Sequence, residues 1–150
     1  NGHIDIVKLL LNDNRVDVNQ ANNSGYTPFS VACRNGLIEI VKLLLNDERL
    51  DINKANNEDH TPFYCACAIG HIDIVKLLLN DQRVDVNKGN DNGKGALEVV
   101  KGIGNGERNF WETVEEYERR KKTYELMESF ERNPKETRFQ LRIELGFAGK

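Results

Sequence analysis

One stretch of this chain occurs three times, and that limits what it can fold into. His71-Ile-Asp-Ile-Val-Lys-Leu-Leu-Leu-Asn-Asp81 has counterparts from His3 and from Leu37, and the glycines in front of them, Gly2, Gly36 and Gly70, stand 34 residues apart. Residues 1–20 and 69–88 differ at three of twenty positions: Asn1/Ile69, Asn14/Gln82 and Gln20/Lys88. A repeat of that period implies a solenoid, in which each unit packs mainly on its neighbours.

On a helical wheel at about 100° per residue, Ile4, Ile6, Val7, Leu9, Leu10 and Leu11 fill an arc of roughly 220°, and Asp5, Lys8 and Asn12 share the rest. An ordinary surface helix carries a stripe nearer 100°. Each copy therefore needs cover on several sides. At about 1.5–3 kcal/mol per buried large apolar side chain, each copy supplies much of its repeat's stability. Helices are expected at 3–12, 37–46 and 71–80. Asn46-Asp47 and its counterparts are expected to take the left-handed end turn that glycine usually takes.

The rest of the unit is read twice. Asn22-Asn-Ser-Gly-Tyr-Thr-Pro-Phe-Ser30 offers Thr27 as helix cap and Pro28 as first helical residue, so a short helix runs about 28–35 and stops near Gly36. Thr61-Pro62 and Gly70 repeat the pattern. Polar loops rich in Asn and Asp follow each long helix and favour turns. These residues, Thr-Pro-Phe, Ala-Cys, Gly-His-Ile-Asp-Ile-Val-Lys-Leu-Leu-Leu and Val-Asp-Val-Asn, resemble the ankyrin repeat. The resemblance is strong over 1–88 and weak over 89–106. It implies an all-α solenoid of stacked helix-turn-helix units with projecting finger loops. Two departures stand out: Ser30 and Tyr64 replace the usual His after Thr-Pro-Leu, and each repeat has one extra loop residue, so the finger base should differ.

The expected organisation is a half repeat 1–20, full repeats 21–54 and 55–88, a degenerate repeat start 89–106 and a helical extension 107–150 that caps the stack. Gly95 and Ala96 stand where Thr27 and Pro28 would, which loosens that helix start. Gly102-Ile-Gly-Asn-Gly106 lacks a preceding strand and the Walker spacing, so a widened turn is expected there rather than a phosphate loop. Phe110, Trp111, Val114, Tyr117 and Tyr124 recur at helical spacing within a helix about 108–132, with Glu115–Arg119, Glu116–Arg120 and Glu118–Lys122 as pairs on its polar side. The first four are expected to cover the helix 71–80. Arg119-Arg-Lys-Lys122 reads as a solvated face among glutamates. Asn133-Pro134-Lys-Glu136 reads as cap and helix start, with a last helix to about 145.

Charge and composition narrow the function. The formal net charge is −3, with 30% charged residues, and neither half is strongly basic, so nucleic acid is not an implied partner. No apolar run approaches the roughly 20 residues needed to span a bilayer. The chain opens inside a repeat without Met and is read as a piece of a longer protein with no signal peptide. Cys33, Cys65 and Cys67 form no disulfide framework, which points to reduced thiols in a cytoplasmic or nuclear protein. Cys65 and Cys67 point about 200° apart on a helix and cannot share a metal; they read as small core residues. Asp85-x-Asn87 fails as a calcium loop, because Ala96 stands at its twelfth position. The three histidines, His3, His60 and His71, form no catalytic set with a nucleophile and an acid. No enzyme, cofactor or metal is expected.

The function expected from the resemblance is a protein-interaction module, a scaffold or adaptor binding a protein or peptide through its concave face. The contact positions map to Asn23, Ser24, Tyr26, Arg34 and Asn35, then Asn57, Glu58, His60, Ala68 and Ile69, then Asp91, Asn92 and Lys94. Tyr26, Arg34 and Ile69 are the expected anchors. The alternatives are a structural part of a longer repeat protein whose contact repeats lie upstream, and a substrate of asparagine hydroxylation at Asn19, Asn53 and Asn87. A monomer is expected, with room for self-association through the first helix, whose Ile4, Val7 and Leu11 face should be bare.

Overall fold

A computed structural model describes residues 3–88, 95–104, 106, 108 and 110–147. Each short helix starts where Thr-Pro places it. The hydroxyl of buried Thr27 accepts the Ser30 amide at 3.1 Å, and buried Thr61 accepts the Tyr64 amide at 3.1 Å, each satisfying an otherwise orphan N–H. Pro28 and Pro62 follow with a preset backbone angle. The helices are α2 (Pro28–Arg34) and α4 (Pro62–Ile69), and the long repeat helices are α1 (Ile4–Leu11), α3 (Ile38–Leu45) and α5 (Ile72–Asn80). Gly36 (φ +71°) and Gly70 (φ +83°) make the turns between them. A side chain at 36 would strike the His71 ring, and one at 70 would press on Arg119. Asn12 and Asn46 stay right-handed and Asp81 is extended, so the left-handed end turn expected at these positions does not form.

Stacking runs in two rows. α2 packs on α4 and α4 on α6 (Ala96–Gly104), while α1 packs on α3, and α3 on α5. α7 (Val114–Arg132) lies against α6 and also touches α5; α8 (Pro134–Glu144) lies on α7 and α5. The core runs through Phe29, Val41, Phe63, Val75 and Leu78 into Met127, Phe130 and Leu141. The described residues include no strand. The finger loops are closed instead by asparagine: Asn22 Oδ1 accepts the Ser24 and Tyr26 amides, and Asn56 Oδ1 those of Glu58 and His60.

The extra loop residue has a visible use. In Asn46-Asp-Glu-Arg49, Asp47 holds Arg49, whose guanidinium reaches the carbonyls of Leu11 (2.9 Å) and Val16 (3.2 Å). Arg83, held by Asp81, reaches Leu45 O at 2.9 Å. The Leu11 and Leu45 carbonyls lie at helix C-termini, where a cation suits both the unpaired oxygen and the dipole. Arg138 of α8 donates to Leu79 O at 3.0 Å, the next position in the series, although nothing around Arg138 resembles the repeat.

Five expectations change. α7 begins at Val114 rather than 108, because Thr113 caps it in a box with Glu116. Phe110 and Trp111 therefore precede the helix and are exposed, as is Val114, so they do not cover α5; Met127, Phe130 and Leu141 are buried in the tail instead. The spaced Glu–Arg pairs do not form either: Arg120 bonds Glu112, and Glu116 serves the cap. On α1, Ile4, Val7 and Leu11 pack on the core, and the bare face is Ile6, Leu9 and Leu10. α6 runs through Gly102 to Gly104, so the glycine-rich stretch starts as helix. At the C-terminal end, Asn133 caps Pro134–Glu144 as expected.

Candidate functional site

The two short helices bury the Phe, Ala and Cys that they share, and differ outwardly at their C-terminal ends. Phe29, Ala32 and Cys33 match Phe63, Ala66 and Cys67, and all six lie in the core. At the matched positions Arg34/Ala68 and Asn35/Ile69 the side chains are exposed, apart from half-buried Ala68. Helix geometry imposes this division, because one face of each short helix meets its neighbours and its C-terminal end does not.

Around these ends, exposed and half-buried groups gather in both repeats. The Arg34 guanidinium sits over the Tyr26 ring, 5.2 Å from its centroid. One repeat along, His60 stacks flat on Tyr64 at 4.3 Å, and its Nδ1 lies 3.2 Å from Glu58 Oε2. Cys65, next to Tyr64 in sequence, is buried: burial pushes its thiol up to about 11, with Arg34 opposing and Glu58 adding to the shift. Burial raises Cys33 and Cys67 further, so none of the three is an activated nucleophile. Ala68 and Ile69 then line a cleft of about 360 Å³ with Trp111, Glu112 and Arg119. Trp111 lies here and not against α5, because Thr113 starts α7 two residues after it, despite its helical spacing with Tyr117.

Other predicted contact residues hold the fingers together. Asn57 Nδ2 donates to Asn23 O at 2.9 Å, and its amide to Ser24 O at 3.1 Å. Asp91, Asn92 and Lys94 lie outside the described residues. Asn19 and Asn53 are tied into the next repeat: Asn19 Nδ2 donates to Arg49 O (2.7 Å) while its Oδ1 accepts the Asp51 amide, and Asn53 treats Arg83 and Asp85 the same way. Asn87 is exposed. His71 Nε2 lies 2.9 Å from Arg34 O and joins the two repeats.

A family model described as ankyrin repeats, in three copies, matches residues 1–91. The chain belongs to the ankyrin-repeat family. Ankyrin repeats are protein–protein interaction modules, and the family is typically non-enzymatic. No curated protein matches the chain. The ankyrin match ends ahead of α6, so α6, α7 and α8 lie beyond it. No helix among the described residues is long and apolar enough to cross a membrane.

Proposed function

We propose that the chain binds a partner protein or peptide along the strip from Tyr26 and Arg34 through His60 to Ala68 and Ile69. The observation that carries this is the division between the short helices of repeats two and three: the shared Phe, Ala and Cys pack in the core, while the differing Arg34 and Ile69 stand exposed. Tyr26 and Arg34 are already held together, which lowers the ordering cost of binding. In this reading α6, α7 and α8 close the stack, with Arg138 completing the row of helix-end contacts. The test is selection of displayed random peptides on the full chain. Tyr26→Ala with Ile69→Asp should weaken the selected peptide about tenfold or more, roughly 1.4 kcal/mol, with the helical circular dichroism unchanged. Asp5→Ala with Lys8→Ala on the outer wedge should not. The reverse result puts the contact on the convex side.

A second reading, hydroxylation of the repeat asparagines, has support at one site. Asn87 is exposed, whereas the amides of Asn19 and Asn53 are each bonded on both sides. Mass spectrometry of protein from its native cell should then find one added oxygen at Asn87 first. Modification of Asn19 ahead of Asn87 would contradict that order.

A further inference from the structure

The loop before α7 holds its charged groups in and its aromatic rings out. Phe110 is fully exposed, Trp111 is 82% exposed and Val114 62%. Beside them, Arg120 Nε and Nη2 each bond Glu112 at 2.8 Å, and both of these side chains are only 11% exposed. Arg108 donates to Glu112 O at 3.3 Å, and Thr113 and Glu116 cap each other. Folding alone produces the opposite arrangement, with rings buried and charges solvated. A loop latched by polar bonds presents its rings in one place, so little ordering is lost when something docks.

The surrounding charges select what docks. Ile69, 47% exposed, shares the cleft with Trp111. Arg119 lines that cleft, and its buried Nε has no hydrogen-bond partner among the described residues. Arg119 also lines a smaller cleft with Gly36 and Gly70, the turns just after Arg34 and Ile69. Neither Arg34 nor Arg119 has a carboxylate within ion-pair distance among the described residues. The nearby acids are engaged: Glu112 by Arg120, Glu58 beside His60, and Glu116 by the Thr113 backbone and hydroxyl, which lower its pKa.

We propose that Ile69 and Trp111, with Phe110 at the rim, clamp a bulky apolar side chain of an acidic peptide whose carboxylates meet Arg34 and Arg119. This rests on the interaction reading above and names its chemistry. Trp and Arg are the residue types that most often dominate binding, and Arg suits a carboxylate because its fork bonds both oxygens. The clamp places the strongest contact on a segment outside the matched repeats.

Trp111 is the chain's single tryptophan, so binding is read directly from its emission. Peptides selected from a displayed random library on the full chain should be rich in Asp and Glu around a large apolar residue. The synthetic form of the best one should shift the Trp111 emission. Trp111→Ala should weaken it about tenfold or more, roughly 1.4 kcal/mol, with the melting temperature unchanged because the ring supports no packing. Arg34→Glu with Arg119→Glu should turn selection toward basic peptides. If Trp111→Ala binds as well as the parent while Tyr26→Ala does not, the clamp is wrong and the strip stands. If Trp111 matters and Tyr26 does not, the clamp stands alone. Basic peptides selected by the parent, or no enrichment at all, would overturn the clamp.

Discussion

Ile4–Leu11 and Ile72–Leu79 are the same eight residues, and they make the same helix with very different surroundings. Both start from a histidine with nearly equal backbone angles. α1 has no buried residue; α5 buries Ile74, Val75, Leu77, Leu78 and Leu79. Ile6 is 56% exposed against 1% for Ile74, and Leu10 49% against 0% for Leu78. In a solenoid the local sequence specifies the helix, and the neighbours decide what that helix contributes. α5 has α4, α3, α7 and α8 around it, whereas α1 has only α3 as a substantial contact among the described elements.

The sharpest way to break the comparison is one substitution made at both ends. Leu78→Ala should cost about 2–5 kcal/mol, as for a fully enclosed leucine. Leu10→Ala should cost about 1 kcal/mol or less, because half of that side chain already faces water. Urea midpoints at constant slope give both numbers. Equal costs would mean that something in solution covers Ile6 and Leu10, with a second copy of the chain the first to test by sedimentation.

The comparison can also be erased by supplying cover. Residues 55–68 fused ahead of Asn1 would continue in register, since 69–88 repeats 1–20. The added short helix should pack on Ile6 and Leu10 as α4 packs on Ile74 and Leu78. A gain of 1–2 kcal/mol would raise the melting temperature by several degrees, at roughly 2–8 °C per kcal/mol in this size range. In the fused protein, Leu10→Ala should approach the cost of Leu78→Ala. No rise in melting temperature would show that the face of α1 does not accept such a helix.

Much of this was legible because the signals are local. Thr-Pro caps, the turns at Gly36 and Gly70 and the long apolar arcs each act within a few residues, and the structure has them within one or two positions of where the sequence puts them. What failed depends on partners. The wheel cannot tell that α1 turns Ile4, Val7 and Leu11 toward α3 and leaves Ile6 bare. The spacing of Trp111 with Tyr117 fits a helix, but the capping box of Thr113 and Glu116 sets the helix start and leaves Trp111 outside it. The use of Arg49, which joins three segments by folding back 38 residues to Leu11 O, has no signature in one repeat. At the site, matched positions marked out Arg34 and Ile69, but nothing in the sequence put Trp111 beside Ile69, because α7 brings them together across 42 residues.

The smallest expected difference between the ends concerns one ion pair and how acid acts on it. Asp13–Arg15 and Asp81–Arg83 have the same local geometry, at 2.6 and 2.7 Å. The side chain of Arg15 is 90% exposed and among the described residues bonds only Asp13, whereas Arg83 also bonds Leu45 O of the preceding repeat. Burial alone would raise the Asp81 pKa, but the hydrogen bonds from Arg83 outweigh it and the carboxyl is held below its ordinary value. A carboxylate depressed in the folded state stabilises it above the unfolded value, near 4, and that contribution is lost as pH falls through the depressed value. Arg83→Ala should therefore cost about 1 kcal/mol at neutral pH, a modest figure because nearly half of that side chain faces water. The cost should start to shrink below about pH 4, where the unfolded chain takes up the proton, and level off once Asp81 in the folded parent is neutral too. Arg15→Ala should leave the melting temperature unchanged at every pH, since that pair ties two neighbours in the chain and no second repeat. Paired melting curves from pH 7 down to about 3 check both. A loss for Arg15→Ala equal to that for Arg83→Ala would mean that the local pair, and not the reach to the previous helix, carries the effect.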